Sequence, residues 1–245
     1  MAINGASVQT PQKKDDSVLL VRALRLLRKS ERFRELHPEI QNKIAEAFRL
    51  RHFSKGQVIY LEGEPAVSVY IIETGWVKAT RISREGREQT LQVLHEGEIF
   101  GDVAVFTRTT YPGTVIALED VDLFVIPAET LLELTARYSP LAMTVIRHLS
   151  ERILYYIGMV EDMALRNVEA RVANTLLRNA ERGDGILFVP RRSWTTFDEM
   201  AVRLGTVRDV LSRALHTLEK ENLLQVKRNE IIILDPEGLK KRGDL

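Results

Sequence analysis

The sequence contains no cysteine, and this absence removes several classes of site at once. Without thiols the chain has no disulfides, thiolate zinc sites, cysteine-ligated iron–sulfur clusters or cysteine nucleophiles. Histidine is scarce, and its positions lack the spacing of metal ligands, so each is more typical of surface or core than of a metal site. The five histidines are His37, His52, His95, His148 and His216. We therefore expect no metal site.

Long hydrophobic runs are also missing. No apolar stretch approaches the roughly 20 residues that a membrane helix needs. The polar start, Met1 to Lys14, lacks the apolar core of a secretory signal. A hydrophobic content of 44% is ordinary for a globular protein. We expect a cytoplasmic protein that makes no membrane contact, with a disordered tail over residues 1–20.

The net charge of +1 conceals an uneven distribution. Residues 1–55 carry twelve Lys and Arg against six Asp and Glu, whereas residues 56–165 carry eight against sixteen. Residues 166–245 carry fifteen against twelve. A basic end beside an acidic middle is compatible with nucleic-acid binding at that end. An excess of three positive charges is small, so the prediction of nucleic-acid binding depends on sequence motifs.

The first two thirds of the chain change from helical to strand periodicity. Apolar residues recur at helical spacing from Asp16 to Leu50, with a boundary at His37-Pro38, because the residue before proline avoids the helical region. From Ser54 onward, short β-branched and aromatic runs alternate with glycines, which is typical of an antiparallel barrel or sandwich. The predicted strands are Gln57–Leu61, Val67–Glu73, Trp76–Ile82, Glu88–Leu94, Glu98–Phe100, Thr114–Ala117 and Val121–Ile126.

A long helix is predicted to start near Pro140. Its apolar residues are spaced alternately by four and three, which is the heptad pattern of a coiled-coil seam. The seam is Ala142, Ile146, Leu149, Ile153, Tyr156, Val160 and Met163. A helix packed on its own domain is the alternative, but the strict register favours a homodimer with an interface formed by Ile146, Leu149, Ile153, Tyr156, Val160 and Met163. Asp162 and Asn167 then indicate a polar break and a hinge.

The C-terminal segment has the pattern of helix, short strand, two helices around a turn, and a two-stranded wing. Its signals, in order, are an apolar stripe from Val172 to Ala180, the helix-ending Gly183-Asp184-Gly185, strand Ile186–Val189, a capping box Thr196-Phe-Asp-Glu199, a turn at Gly205, a helix capped by Thr206 that runs to about Glu221, and strands Leu224–Lys227 and Ile231–Leu234. We predict a sensor domain over 21–137, a dimerisation helix over 138–165 and a winged helix-turn-helix over 166–245.

The helix after Gly205 carries a pattern that fits DNA recognition. One side is apolar, and the other presents two arginines, a carboxylate and a hydroxyl within its first turns. The second helix of a helix-turn-helix enters the major groove, where arginine can donate twice to guanine and a carboxylate can accept from cytosine. An ordinary solvated face with an Arg–Asp pair is the alternative; the preceding capped helix, turn and wing favour DNA. The candidate DNA-binding residues are Thr196, Thr206, Arg208, Asp209, Ser212 and Arg213, with Thr196 predicted to contact a phosphate.

These segments resemble the CRP/FNR family of bacterial transcription regulators over nearly everything after residue 20. The matching pieces are Phe53-Ser-Lys-Gly56, Tyr60-Leu-Glu-Gly-Glu64, Val69-Tyr-Ile-Ile72, Gly75-Trp-Val77, Gly97-Glu-Ile-Phe-Gly-Asp102, Met200 to Leu215 and Leu218 to Leu224. The resemblance implies an α+β chain with a jelly-roll, cyclic-nucleotide-binding-like barrel, a dimerisation helix and a winged helix-turn-helix. It further implies binding to inverted-repeat double-stranded DNA, control by an effector at the barrel, and contact with RNA polymerase. Asp209 is a departure, because the family usually has glutamate there.

The effector region departs further from members that bind cyclic AMP. Such members have a Gly-Glu pair at a short phosphate-binding helix, followed by an Arg-Ser pair. In this chain Gly101-Asp102 stands in place of the first pair. The segment Thr109 to Thr114, which stands in place of the second, lacks the arginine, although Arg108 lies nearby. Tyr156-Ile157 stands where Thr-Ser usually contacts the purine. Both departures disfavour cyclic AMP. The candidate effector-binding residues are Gly101, Asp102, Val103, Ala104, Arg152 and Tyr156.

The sequence is also compatible with other functions. We predict no cofactor; no histidine sits at an obvious axial position for haem, although haem is not excluded. The competing hypothesis is a small-molecule-binding regulatory module that acts on a protein partner, which requires the Arg208–Arg213 face to be incidental. An enzyme is disfavoured, and no catalytic residue is assigned, because no nucleophile–base pair, metal cluster or glycine-rich nucleotide loop is present.

Overall fold

A computed structural model describes residues 12–183 and 185–244. Residues 1–11 of the predicted tail lie outside it, but residues 12–20 belong to helix α1, Gln12–Lys29, so the tail prediction is wrong there. Burial explains the difference. Ala23, Leu26 and Leu27 are buried, and Arg22 donates from Nε and Nη2 to Glu73 at 2.8 and 2.6 Å. The helix is therefore held on the barrel along its C-terminal half.

The second helix ends earlier than its periodicity predicted. Helix α2, Pro38–Ala47, begins at the predicted boundary, with proline in the first position, where its missing N–H costs nothing. Strand β1, Arg49–Phe53, follows at once and pairs along all five residues with a later strand. The prediction of helix to Leu50 is wrong, because pairing with a distant strand overrides local propensity.

Two four-stranded antiparallel sheets form the jelly-roll barrel, as predicted. Their strands are β1, β2 (Val58–Tyr60), β3 (Ser68–Thr74), β4 (Val77–Ile82), β5 (Glu88–Leu94), β6 (Ile99–Phe100), β7 (Thr114–Ala117) and β8 (Val121–Pro127). One sheet has the order β1-β8-β3-β6 and the other β2-β7-β4-β5. Helix α3, Asp102–Thr107, follows β6, and α4, Ala128–Arg137, follows β8. The barrel core lies between the sheets, and a second core lies under α1, α2 and α4.

Helix α5, Ser139–Leu165, leads from the barrel to the C-terminal domain. That domain comprises α6 (Val168–Arg178), β9 (Glu181–Gly183), β10 (Ile186–Pro190), α7 (Phe197–Arg203), α8 (Arg208–Lys220), β11 (Leu224–Val226), β12 (Glu230–Ile233) and α9 (Pro236–Gly243). The wing is part of a four-stranded sheet of order β11-β12-β10-β9. Strand β9 and helix α9 were not predicted. The sequence expected α6 to extend to the glycines at 183–185; instead the chain leaves the helix after Arg178 and pairs with β10.

Candidate DNA interface and effector pocket

The first helix of the helix-turn-helix, α7, has half of its predicted capping box. Thr196 is the N-cap, and its Oγ1 accepts from the Glu199 backbone N–H at 3.1 Å. The Glu199 carboxylate does not reach back to Thr196. It binds Lys78 Nζ at 3.0 Å and Thr90 Oγ1 at 3.3 Å on the barrel. The Thr196 N–H donates instead to the Trp194 carbonyl at 2.9 Å.

The turn between α7 and α8 depends on Gly205, whose φ of 62° lies in the left-handed region that favours glycine. The next residue differs from prediction. Thr206 does not cap α8: Val207 is the N-cap and gives no side-chain hydrogen bond. Thr206 is half-buried, and its backbone N–H donates to the Ala201 carbonyl at 2.9 Å, which closes the turn. Its hydroxyl is not positioned as a helix cap.

Helix α8 divides into the two faces that the sequence predicted. Leu211, Ala214, Leu215 and Leu218 are buried in the domain core. Arg208, Asp209, Ser212 and Arg213 are all exposed on the other side. Arg208 Nη1 pairs with Asp198 Oδ2 at 3.2 Å, in an ion pair open to solvent. Across the described part of the chain, no hydrogen bond or ion pair engages the side chains of Asp209 and Arg213. Asp209 and Arg213 thus present two opposite charges to solvent.

Three of the predicted effector residues meet at one buried cluster between α3 and α5. Arg152 Nη1 binds Asp102 Oδ1 at 2.6 Å, and Arg152 Nη2 lies 3.5 Å from the Tyr156 hydroxyl. That hydroxyl donates to Gln92 Oε1 at 3.4 Å. His148 Nε2 approaches Asp102 Oδ2 at 3.3 Å. The Asp102 carboxylate therefore faces Arg152 and His148, both from α5.

Electrostatics keep Asp102 ionised in this setting. Burial alone would raise the pKa of Asp102, but the close approach of His148 and the charge of Arg152 outweigh it, and the pKa lies below its usual range. Burial alone would likewise lower the pKa of Arg152, but Asp102 and Tyr156 together raise it. Arg152 engages Asp102 Oδ1, whereas Asp102 Oδ2 and both His148 ring nitrogens are buried without a hydrogen-bond partner among the described residues.

The remaining predicted effector residues stand at the start of α3. Gly101 precedes the helix with a φ of 83°, and an added Cβ would lie 3.1 Å from the Ser68 carbonyl oxygen. Val103 is exposed and Ala104 is buried. Sequence analysis missed His148 and Gln92. The signal for His148 was its spacing, because His148, Arg152 and Tyr156 follow one another at four residues along a single helix face.

Aromatic rings fill the barrel interior beside this cluster. Tyr60 and Tyr111 stack with centroids 3.7 Å apart, and Tyr70 and Phe100 stack at 5.0 Å. The Tyr111 hydroxyl donates to the Ser68 carbonyl at 2.7 Å, and burial raises the pKa of Tyr111. The segment that would need an arginine for a phosphate thus supplies a buried, neutral phenol.

The exposed face of α5 is shifted relative to the predicted seam. Ile146, Ile153, Val160 and Met163 are exposed, as an interface with a second chain would require. Leu149 and Tyr156 are half-buried, and the Tyr156 hydroxyl points to the barrel. Ile157, outside the predicted seam, is exposed instead. Leu149 and Tyr156 lie on the side of α5 that faces the barrel, so the exposed apolar face is centred on Ile146, Ile153 and Val160.

The C-terminal domain packs against barrel strands β4 and β5. Besides the Glu199 contacts, Gln89 Nε2 donates to the Val202 carbonyl at 3.0 Å, and Trp194 Nε1 donates to Glu119 at 3.2 Å. Burial would lower the pKa of Lys78, but hydrogen bonds with Glu88 and Glu199 raise it. The Glu199 and Val202 contacts join the two domains through α7, and Trp194 adds a contact from the segment before α7 to the turn between β7 and β8.

Among residues 12–183 and 185–244, no helix has both the length and the apolar character needed to cross a bilayer. The same part of the chain brings together no group of three or more His, Asp or Glu that could hold a metal ion.

Comparison with known proteins matches both domains. A cyclic nucleotide-binding domain model matches residues 50–138, and a Crp-like helix-turn-helix domain model matches residues 170–242. The fumarate and nitrate reduction regulatory protein of Yersinia pestis is 30% identical over 197 residues, which cover 78% of this chain and 77% of that protein. The cyclic AMP receptor protein of Thermus thermophilus is 28% identical over 194 residues, which cover 79% of this chain and 88% of that protein. A solved CRP/FNR family regulator, also from Thermus thermophilus, shares the fold with a TM-score of 0.65 and 24% identity. The match covers 80% of this chain and 99% of that one.

Proposed function

Because the chain belongs to the CRP/FNR family of transcription regulators, we propose that α8 reads DNA through Arg208, Asp209, Ser212 and Arg213, with the barrel controlling how it is presented. The chain is a DNA-binding transcription regulator. The observation that carries the residue assignment is the free, exposed pair Asp209 and Arg213 on a helix whose other face is fully buried.

The two side chains suit different bases. Arg213 can donate two hydrogen bonds to a guanine, and Asp209 can accept one from a cytosine. Asp209 has one methylene less than glutamate, so it reaches less far into the groove. Family resemblance favours a TGA-like core in each half-site, and the short reach of Asp209 makes its cytosine contact the weaker of the two.

Family members act as dimers, and we propose α5 as the interface in this one. The exposed residues Ile146, Ile153, Val160 and Met163 support that assignment. Two reading helices on one face of B-DNA meet half-sites about one helical turn, roughly 34–36 Å, apart. The site is then an inverted repeat. RNA polymerase is the expected protein partner, the cytoplasm is the expected location, and no catalytic activity is expected.

Selection of sites from random DNA tests the reading assignment. Arg213→Ala should cost about 1–3 kcal/mol per half-site and relax the preference at one base pair. The control is Arg137→Ala, which removes an exposed arginine from α4 and should leave the selected site unchanged. An asymmetric wild-type site, or the same base preference in Arg213→Ala, contradicts the assignment. A uniform loss of affinity with a smaller salt slope would mean that Arg213 contacts phosphate only.

Cyclic AMP is not expected to be the effector. The paired Asp102, the missing arginine between Thr109 and Thr114, and the buried Tyr111 support this proposal. Titration calorimetry should detect no micromolar binding that also raises DNA affinity. Such binding would overturn the proposal. The absorption spectrum of the protein as first purified tests for haem.

A further inference from the structure

A cavity of about 590 Å³ lies where the barrel, the end of α5 and the C-terminal domain meet. Strand β5, α5, α6 and α7 all contribute lining residues, whereas the Asp102–His148–Arg152 cluster does not line it. This volume is within the range of roughly 300–1,000 Å³ that is usual for small-molecule sites. Its position at a domain boundary is also typical of such sites.

The lining includes four arginines and three carboxylates, Glu98, Asp162 and Glu181. Arg178 is held by Asp162, but Arg203 has no hydrogen bond or ion pair among the residues that the structure describes. Burial lowers the pKa of Arg203, and the nearby Tyr155 and Glu199 offset only part of that effect. Arg171 Nη1 donates to the Arg166 carbonyl at 3.1 Å, while its buried Nε has no partner within residues 12–183 and 185–244. The cavity therefore offers guanidinium groups with unused donors.

Flat aromatic surfaces line the same cavity. Trp76 and Trp194 lie with ring centroids 5.4 Å apart, and the Arg192 guanidinium lies 4.4 Å from the Trp76 ring centroid. Tyr155 adds a third ring from α5. Guanidinium groups and tryptophan faces together suit a planar ligand that carries negative charge.

We propose that this cavity binds a small organic anion composed of an aromatic ring with a carboxylate or phosphate. Arg203 and Arg171 bind the carboxylate or phosphate of the ligand, and the two tryptophans pack against its aromatic ring. Because the lining comes from both domains, the ligand holds the C-terminal domain against the barrel and stabilises that arrangement over others. Ligand binding in this cavity does not depend on the proposed function. Only the effect of the ligand on DNA binding rests on that proposal.

The chain provides its own reporter for the test. It has two tryptophans, and both line this cavity, so intrinsic tryptophan fluorescence responds to occupancy here. The full-length protein is titrated with benzoate, phenyl phosphate and the uncharged benzamide. Benzoate or phenyl phosphate should change the fluorescence saturably, with benzamide at least about tenfold weaker, since tenfold corresponds to one charge-assisted contact. The stronger of the two anions identifies the acid group.

Variants separate the cavity from general anion binding. Arg203→Gln should weaken the preferred anion by about tenfold, whereas Arg137→Gln, on the surface of α4, should not change it. Arg192→Gln removes an exposed guanidinium from the rim, so it is not expected to disturb folding, and it should also weaken binding. The proposal is overturned if neither anion gives saturation, if benzamide binds equally well, or if both Arg203→Gln and Arg192→Gln bind like wild type.

DNA binding without any added anion is measured on the same variants. If Arg203→Gln and Arg192→Gln bind DNA normally while the anion titrations fail, the cavity inference is wrong and the proposed function stands. If Arg213→Ala leaves base preference unchanged while the titrations succeed, the reading assignment fails and the cavity stands.

Discussion

Replacing Ile153 by aspartate gives the sharpest test of the α5 interface. In one chain the side chain is 59% exposed, at the middle of the stripe that contains Ile146, Ile157 and Val160. Burying a whole isoleucine side chain is worth about 1.5–3 kcal/mol, so covering three fifths of it contributes about 1–2 kcal/mol per chain and about 2–4 kcal/mol per dimer. Two carboxylates facing each other in an apolar seam add several kcal/mol more.

The dimer dissociation constant of Ile153→Asp should therefore rise by roughly 30-fold or more, since about 1.4 kcal/mol corresponds to tenfold. Sedimentation velocity over a concentration series measures this rise. Ile186→Asp makes the same chemical change at a residue of β10 that is 48% exposed, and it should remain as dimeric as wild type. If Ile153→Asp sediments as a dimer at wild-type concentrations and binds two-half-site DNA normally, α5 is not the interface.

Three further outcomes test the packing described above. Asp102→Asn leaves Arg152 buried without a countercharge and should cost about 3–5 kcal/mol in urea unfolding at neutral pH. Because the pKa of Asp102 is lowered in the folded protein, its stabilisation is present above the ordinary carboxyl pKa and is lost as the pH falls through the lower folded value. The difference between wild type and variant should therefore begin to shrink below about pH 4 and vanish only below the folded pKa. Thr196→Ala removes a cap worth about 1 kcal/mol and, since the hydroxyl is neutral, should leave the salt slope of DNA binding nearly unchanged; a slope smaller by about one would contradict this. Glu199→Gln should weaken the contact of α7 with β4 and red-shift the tryptophan emission, whereas an unchanged spectrum would mean that the other interdomain contacts suffice.

The sequence predicted what depends on local patterning. Strands β5 and β7 have the predicted bounds, and α8 divides into the predicted buried and exposed faces. These features repeat with a fixed period along the chain, so a short window of residues contains the information. Arg208 to Arg213 could be assigned for that reason.

Prediction failed where a distant partner decides the outcome. Residues 49 and 50 continue a helical pattern, but β1 pairs with β8, roughly 70 residues later. Thr206 has the chemistry of a cap, but its backbone closes the turn and Val207 takes the position. Tyr156 fits a heptad, but Gln92 and Arg152 draw its hydroxyl toward the barrel. In each case one residue has two suitable environments, and only tertiary packing selects between them.

The divided capping box at α7 has a consequence for motion of the C-terminal domain. While the domains are in contact, Glu199 serves Lys78 and Thr90, and the Thr196 N–H is satisfied by Trp194. When α7 leaves the barrel, Glu199 can compete with the Trp194 carbonyl for the Thr196 N–H, and so replace one of the hydrogen bonds that it loses to Lys78 and Thr90. The free energy that separates the two arrangements is then smaller than the lost interface contacts alone would give. Glu199 can exchange its partners on the barrel for the Thr196 N–H. A weakly binding ligand is then enough to shift the equilibrium between joined and separated domains.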